Sequence, residues 1–396
     1  MQSSLIPVES ALEQMLEMAT KPPRVESVAL TQAAGRVLAE DLFSSINVPP
    51  ADNSSMDGYA LRYSDRLAPL PVSQRVAAGH PPTPLKPGTC ARIFTGGEIP
   101  DGADLVVMQE AVTMTAFDDV VVPDSIKQGQ NIRPAGQDIR KGDLIISAGT
   151  RLDYRHLALI ASIGVPMIKV YCPVKVAILS TGDELVMPGN CLAPGQIYNS
   201  NRYLLQGFIE SLQAEMVSFV QVSDSYDATL SALKKASEQA DLILSTGGVS
   251  VGEEDHVKPA VEALGKLSLW RLAMKPGKPL AFGKIDQALF LGLPGNPVSS
   301  FVGSHIFVAP LLAKLSGLQR SSTKKLTGVA SFSASTQVRQ EYLRVKAVWK
   351  DDQWHLDLHP NQNSGVLSSV VKCNALAIMP PRTEVSPGDH LDFWLY

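Results

Sequence analysis

The chain is poor in cysteine and lacks most ready-made catalytic signatures. Only Cys90, Cys172, Cys191 and Cys373 occur in 396 residues, scattered and without a CxxC pair. The plain reading is reduced thiols in the cytoplasm, not a disulfide framework or a zinc site. No HExxH occurs, so a zinc peptidase has no support. No GxSxG occurs, which removes the nucleophile-elbow hydrolases. The dinucleotide fingerprint GxGxxG is missing, which argues against a nucleotide-dependent oxidoreductase. Residues 247–252 have Walker A glycine spacing, but Glu253 and Glu254 stand where Lys and Ser or Thr belong. Charge of one sign is lacking too. Thirty-five basic and 39 acidic residues leave a formal charge of −4, with no general pull toward nucleic acid or membrane. No apolar stretch reads as membrane-spanning. The opening MQSSLIPVESALEQ carries acids early and lacks the apolar core of a secretory signal.

What is present is an ordinary globular balance, 45% hydrophobic and 19% charged, in a chain too long for one core. Four domains are expected. Residues 1–45 and 146–173 read as a discontinuous helical domain. Val8, Ala11, Leu12, Met15 and Leu16 share a helical face, and Thr31 looks like an N-cap ahead of Ala33, Ala34, Val37 and Leu38. The opening segment is expected to pack on a second helix over 153–163, stopped by Gly164. Residues 46–145, with frequent Pro and Gly and short apolar runs (ARIFTG, DLVVMQE, VVVP), read as an inserted β-rich domain. Residues 174–320 alternate strand and helix patterns, which predicts a three-layer α/β domain with a mostly parallel sheet. Residues 321–396 read as a C-terminal β-barrel domain, with a hairpin turning near 350–352. The fold class is therefore α/β multidomain.

The candidate chemistry lies where apolar strands end. VKVAIL runs into Ser180-Thr181-Gly182-Asp183-Glu184. LIL at 242–244 runs into Ser245-Thr246-Gly247-Gly248, continuing through Ser250 to Asp255. LFL at 289–291 runs into Gly292-Leu293-Pro294-Gly295-Asn296-Pro297. Ligands of open parallel sheets gather outside the carboxyl ends of the strands. Asn296 suits a cap and Pro297 a first helical turn, so this turn offers an anion free amides, unless it is only a tight βα connection. Glu184, Asp224 and Asp255 are hard-oxygen candidates for Mg²⁺, although each alone also suits a cap or a solvated acid. Lys275-Pro276-Gly277-Lys278-Pro279 is a stiff loop whose two cations suit an oxyanion, or a solvated turn. In the insertion, residues 52–60 around Asp57 suit a ligand-facing loop or a capped polar turn. Thr95-Gly96-Gly97 offers a hydroxyl and amides, and Arg133, Asp138, Arg140 and Lys141 form a charge cluster. His355, Asp357 and His359 could share a metal, but a solvated hairpin face explains them as well.

Taken in order, MDGYA, FTGGEIP, NIRPAGQDI, STGDEL, STGGVSVGEEDH, KPGKP and GLPGNPVS resemble the molybdopterin molybdenumtransferases of the MoeA type, relatives of the E domain of gephyrin and its plant counterpart. The likeness runs from about residue 5 to the end. It implies a central domain like that of the molybdopterin adenylyltransferases. It implies a Mg²⁺-dependent transferase that takes adenylylated molybdopterin and molybdate, releases AMP and yields molybdenum cofactor. It also implies an elongated homodimer whose active site is shared between subunits. Molybdopterin adenylyltransferase and cofactor-accepting molybdoenzymes would be its partners, in the cytoplasm, with no nucleic acid or membrane. Carried over by motif, the catalytic set is Asp57, Thr95, Asp138, Glu184, Asp224 and Asp255. Glu184, Asp224 and Asp255 are also the metal candidates. The substrate-binding set is Arg133, Gly247, Gly248, Ser250, Lys275, Lys278, Pro294, Gly295, Asn296, Pro297, Arg344 and Ser364. Two positions depart from the pattern: Val345 follows Arg344 where the family has Gly, and Gln362-Asn363-Ser364 replaces Gln-Gly-Ser. The alternatives are a molybdopterin adenylyltransferase, and a non-catalytic scaffold of the same architecture.

Overall fold

A computed structural model describes residues 5–20, 23–248, 256–319 and 325–396. Its centre is a six-stranded sheet. Glu215–Val222, Lys175–Thr181, Leu242–Thr246 and Ala288–Leu293 lie side by side in parallel. Pro279–Ile285 and Gly265–Arg271 extend this sheet antiparallel. Side chains alternate across it. Val176, Ile178, Leu242, Leu244, Leu289 and Leu291 enter one core, while Ala177, Leu179, Ile243 and Phe290 enter the other. The first core is closed by the helices Ser200–Ser211 and Pro297–Leu315. The second is closed by Tyr226–Gln239 and Val257–Leu264. Both faces are covered, as a parallel sheet requires.

Pro297–Leu315 is long and apolar enough to cross a membrane, contrary to the expectation that no stretch would be, but 78% of its 18-residue apolar window is buried inside the protein. It is a core helix. A π turn at Ser304–Val308 interrupts it, and the Ala309 amide bonds the Ser304 carbonyl five residues back. Pro310 follows directly. Lacking an N–H, it removes the bond that an α turn would make there.

The N-terminal region differs from expectation in two ways. No helix forms at Thr31. Leu30–Gln32 is one 3-10 turn, Gly35 sits at φ +78°, and Val37 and Leu38 make β-bridges. The glycine in the left-handed region ends any helical run. Secondly, the helix Val8–Met18 does not pack on the helix Tyr154–Ser162. Val8, Ala11 and Met15 join the central core with Leu311, Leu312 and Leu315. Tyr154–Ser162 packs instead over the Val25–Ala29 and Met167–Tyr171 pair, around Val28, Leu38, Ile160, Ile168 and Val170. It starts at Asp153, whose side chain accepts from the Arg155 and His156 amides while His156 returns a bond to the Asp153 amide.

The insertion leaves and rejoins this unit through paired chain. Leu42–Phe43 pairs with Leu144–Ile146, Val48 with Ile139, and Asn53–Ser54 with Ile132–Arg133. Beyond it stands a four-stranded sheet, ordered Val72–Val76, Cys90–Ile93, Gly58–Leu61, Leu105–Met108, with two small cores of its own. At the other end of the chain, Gln340–Lys350 and Gln353–Leu358 form the expected hairpin, turned by Asp351 and Asp352 at φ 50° and 59°. These belong to a second six-stranded sheet. Tyr342, Leu376 and Ile378 tie it into the central core.

Candidate active site

The carboxyl ends of the central strands, the Lys275 loop and the 362–364 loop enclose a cavity of about 520 Å³. Of the residues singled out in the sequence, Gly247, Gly248, Lys275, Lys278, Pro294, Gly295, Asn296 and Ser364 line it. Local chemistry explains how they meet. Gly248 holds φ +64°, and a Cβ there would stand 2.3 Å from Val257 Cγ2, so only glycine fits. The Gly247 amide donates to the Leu293 carbonyl, drawing two strand ends together. Asn201 Nδ2 holds the Gly295 carbonyl at 2.8 Å, and Ser300 Oγ donates to the Pro294 carbonyl at 2.5 Å.

The helix that starts after Asn296 is capped differently from expectation. Asn296 occupies the cap position, with Pro297 in the first turn, but its side chain makes no capping bond. The Val298 amide is instead satisfied by the Ser364 carbonyl at 3.1 Å. That bond docks the 362–364 loop against the turn and brings Ser364 to the cavity wall. One of the amides expected to await an anion is therefore already used.

Arg344 is not on the wall. It is 1% exposed, and burial pulls its guanidinium below its usual range. Nε donates to Ser369 Oγ at 3.2 Å, and Nη2 to the carbonyls of Asn361 at 3.3 Å and Asn363 at 3.2 Å. Gln362 bonds both the amide and the carbonyl of Arg344. The arginine thus shapes the loop that carries Ser364 and does not face the cavity itself.

The acids follow the carboxyl ends of the two strands at one side of the sheet, and Asp183, Glu184 and Asp224 do not line the cavity. The Asp183 amide donates to Asp224 Oδ2 at 3.3 Å, and the Asp224 amide to Asp183 Oδ1 at 3.1 Å. This reciprocal pair joins the ends of two neighbouring strands. Glu184 folds back over Gly182, which holds φ +134°. Among the described residues no group of three or more His, Cys, Asp and Glu side chains is arranged to hold a metal. Ser250 and Asp255 lie outside the described residues. His359 Nδ1 is engaged with Asn361, and Asp357 accepts from Ser331 Oγ at 2.6 Å.

A second group lies in the insertion. The Thr95 amide and hydroxyl both donate to Asp57 Oδ1, and together they hold that carboxyl below its ordinary value. Arg92 lies nearby, its guanidinium carbon 5.1 Å from the Tyr59 ring centre and 4.8 Å from that of Phe94. Arg133 pairs with Asn53 in the two-stranded stem, and the Asp138 amide donates to the Val48 carbonyl at 3.0 Å. No hydrogen bond or ion pair among the described residues joins this group to the cavity.

Comparison with known proteins settles the family. Residues 6–164 match the MoeA N-terminal region (domain I and II), 177–314 a probable molybdopterin binding domain, and 330–396 the MoeA C-terminal region (domain IV). The molybdopterin molybdenumtransferase of Haemophilus influenzae is 38% identical over 392 residues, 97% of each chain. The chain belongs to the molybdopterin molybdenumtransferase family. A second such transferase, from Nostoc sp., is 37% identical, covering 90% of this chain and 85% of that one. The crystal structure of the molybdopterin biosynthesis MoeA protein of Pyrococcus horikoshii superposes with a TM-score of 0.86 at 30% identity, covering 99% of both chains. As a member of the transferase family, the chain is an enzyme of molybdenum cofactor biosynthesis.

Within that frame the sequence reading missed Arg339 and Ser299, which also line the cavity. Ser299 stood inside the GLPGNPVS motif and could have been taken with it. Arg339 stands five residues ahead of Arg344 and outside every motif named above.

Proposed function

We propose that the chain inserts molybdate into adenylylated molybdopterin in a Mg²⁺-dependent reaction in the cytoplasm. Water adds across the phosphoanhydride, so AMP leaves and the molybdopterin keeps its phosphate, while two molybdate oxygens leave as water, taking the thiol protons and protons from solvent, as the two dithiolene sulfurs bind molybdenum. One observation carries this reading. Three cationic side chains, Lys275, Lys278 and Arg339, open onto a single cavity of about 520 Å³ beside glycine backbone. Among the described residues only Lys275 of the three has a carboxylate within ion-pair distance. Such a wall suits a tetrahedral dianion, held by charge-assisted hydrogen bonds. The volume falls in the range of small-molecule sites.

Mg²⁺ fits the acidic edge. Asp183 and Asp224 present hard oxygen donors from adjacent strand ends, each with one oxygen free of the reciprocal bond. Mg²⁺ needs only one or two protein carboxylates, its other ligands being water and phosphate. Asp224 and Glu184 would hold the ion, which would neutralise phosphate charge. The Asp57 and Thr95 group is assigned to the cavity of a second copy, in a homodimer with a shared site. That assignment accounts for family site residues lying on a separate domain. Molybdopterin adenylyltransferase would supply the substrate, and acceptor molybdoenzymes would take the product.

Incubating the purified protein with molybdopterin-AMP, Mg²⁺ and molybdate tests this. AMP release and cofactor formation that both require molybdate are expected. An absence of both, with no retained pterin adenylate, would favour a scaffold. Asp224→Asn and Glu184→Gln that left Mg²⁺-dependent cleavage unchanged would overturn the metal assignment.

A further inference from the structure

Lys275 reaches the cavity from a loop that is stitched to the C-terminal domain. Met274 and Lys275 pair in parallel register with Gln340 and Glu341, and the Gln340 amide donates to the Ala273 carbonyl at 2.8 Å. That register sets Lys275 beside Glu341. Lys275 Nζ donates to both carboxylate oxygens of Glu341, each at 3.1 Å. The Glu341 side chain is 15% exposed and that of Lys275 49%. The carboxylate is the covered member of the pair, and the ammonium is the open one.

We propose that Glu341 is a positioning residue for the oxyanion, holding the Lys275 ammonium at the cavity wall before the anion arrives. This rests on the reading of the cavity as the molybdate site. A lysine ammonium is a point charge on a flexible stem, and fixing it costs rotamer freedom. Glu341 meets that cost in the free protein, which is preorganisation. An ammonium has three N–H groups, so one remains beyond those given to Glu341. The carboxylate also has an opposing effect, because it subtracts positive charge from the wall. The half-open side of the pair lets solvent damp that Coulombic effect, whereas the loss of ordering is not screened. Ordering decides. Lys278 and Arg339 have no ion-pair partner of this kind among the described residues, so the device serves one cation of the three.

The test is equilibrium dialysis of molybdate against the full chain, with Glu341→Gln, Lys275→Gln and the double variant. Glu341→Gln is expected to weaken molybdate binding roughly tenfold, the cost of an unfixed lysine. In the Lys275→Gln background it should have no further effect. In the AMP-release assay the molybdate KM should rise while kcat at saturating molybdate holds. Unchanged or tighter binding by Glu341→Gln would overturn the proposal, and so would an additive loss in the double variant. If Glu341→Gln does not fold, Glu341→Asp runs the same cycle, because it keeps the charge and shortens the reach. Wild-type protein that binds no molybdate would refute the cavity reading itself. Wild-type binding with an indifferent Glu341→Gln would refute only the role of Glu341.

Discussion

Asp57 Oδ1 accepts two hydrogen bonds from one residue: the amide of Thr95 and its hydroxyl, each at 2.8 Å. Both bonds favour the ionised carboxylate and hold its pKa down. Charge on Asp57 is therefore kept above the ordinary carboxylate pKa and lost only as pH falls through the depressed value. Thr95→Ala removes one of the two donors. The acid side of the pH–activity profile should then move to higher pH. Asp57→Asn should lower AMP release about tenfold or more. Melting temperatures should stay near wild type, because the pair is at the surface. A profile that does not move in Thr95→Ala would separate Asp57 from the reaction.

Arg344→Met should destabilise the protein by about 2–4 kcal/mol in urea unfolding. The change strips a hydrogen-bond donor from the carbonyls of Asn361 and Asn363, which hold the 362–364 loop, and from Ser369 Oγ in the helix Ser368–Lys372. Arg344→Lys should not restore stability, because one ammonium cannot reproduce the spread of the guanidinium. Oxyanion affinity should fall in step with loop order.

His305 is mostly buried among Phe208, Phe301 and Tyr396, and burial lowers its pKa from 6.5 to about 4. The unfolded chain takes up a proton below about pH 6.5, whereas the folded one resists until about pH 4. Stability should therefore fall across this window, by at most about 3 kcal/mol. His305→Phe should flatten that part of the curve. Urea midpoints measured from pH 7 to pH 4 would show it.

Gly248→Ala should cost about 1–3 kcal/mol and lower oxyanion affinity. It places a side chain at φ +64° and drives a methyl against Val257. Gly129→Ala, also at positive φ but with nothing within 4 Å, is the control for backbone strain alone. Equal losses at the two positions would mean that Val257 makes no difference.

The sheet was legible because its strands are covered on both faces and read as apolar runs closed by glycine. Lys175–Thr181, Leu242–Thr246 and Ala288–Leu293 all show this. The 340–358 hairpin was legible from its alternation and its turn. Thr31 misled because a cap followed by alanines looks helical, and only the tertiary bond from the Gly35 amide to the Leu152 carbonyl shows what Gly35 does. Arg344 shows a different limit: its placement, buried against its own loop, was not legible. A motif gives a residue type and a spacing, but not whether its guanidinium points at a ligand or at its own loop. Glu341 was invisible because its proposed role depends on a two-residue pairing between segments 66 positions apart.

The strands that lead into the insertion pair with those that lead out, so its two ends are neighbours. The module is a cassette. A few residues of linker after Phe43 could bridge to Leu144 and leave the remaining cores intact, since the apolar clusters of the insertion are its own. Such an excised chain should fold without its second group of acids. Mixing it with a full-length Lys275→Gln chain, which is complete in the insertion but altered at the cavity, would test by recovered activity the proposed sharing of a site between two copies.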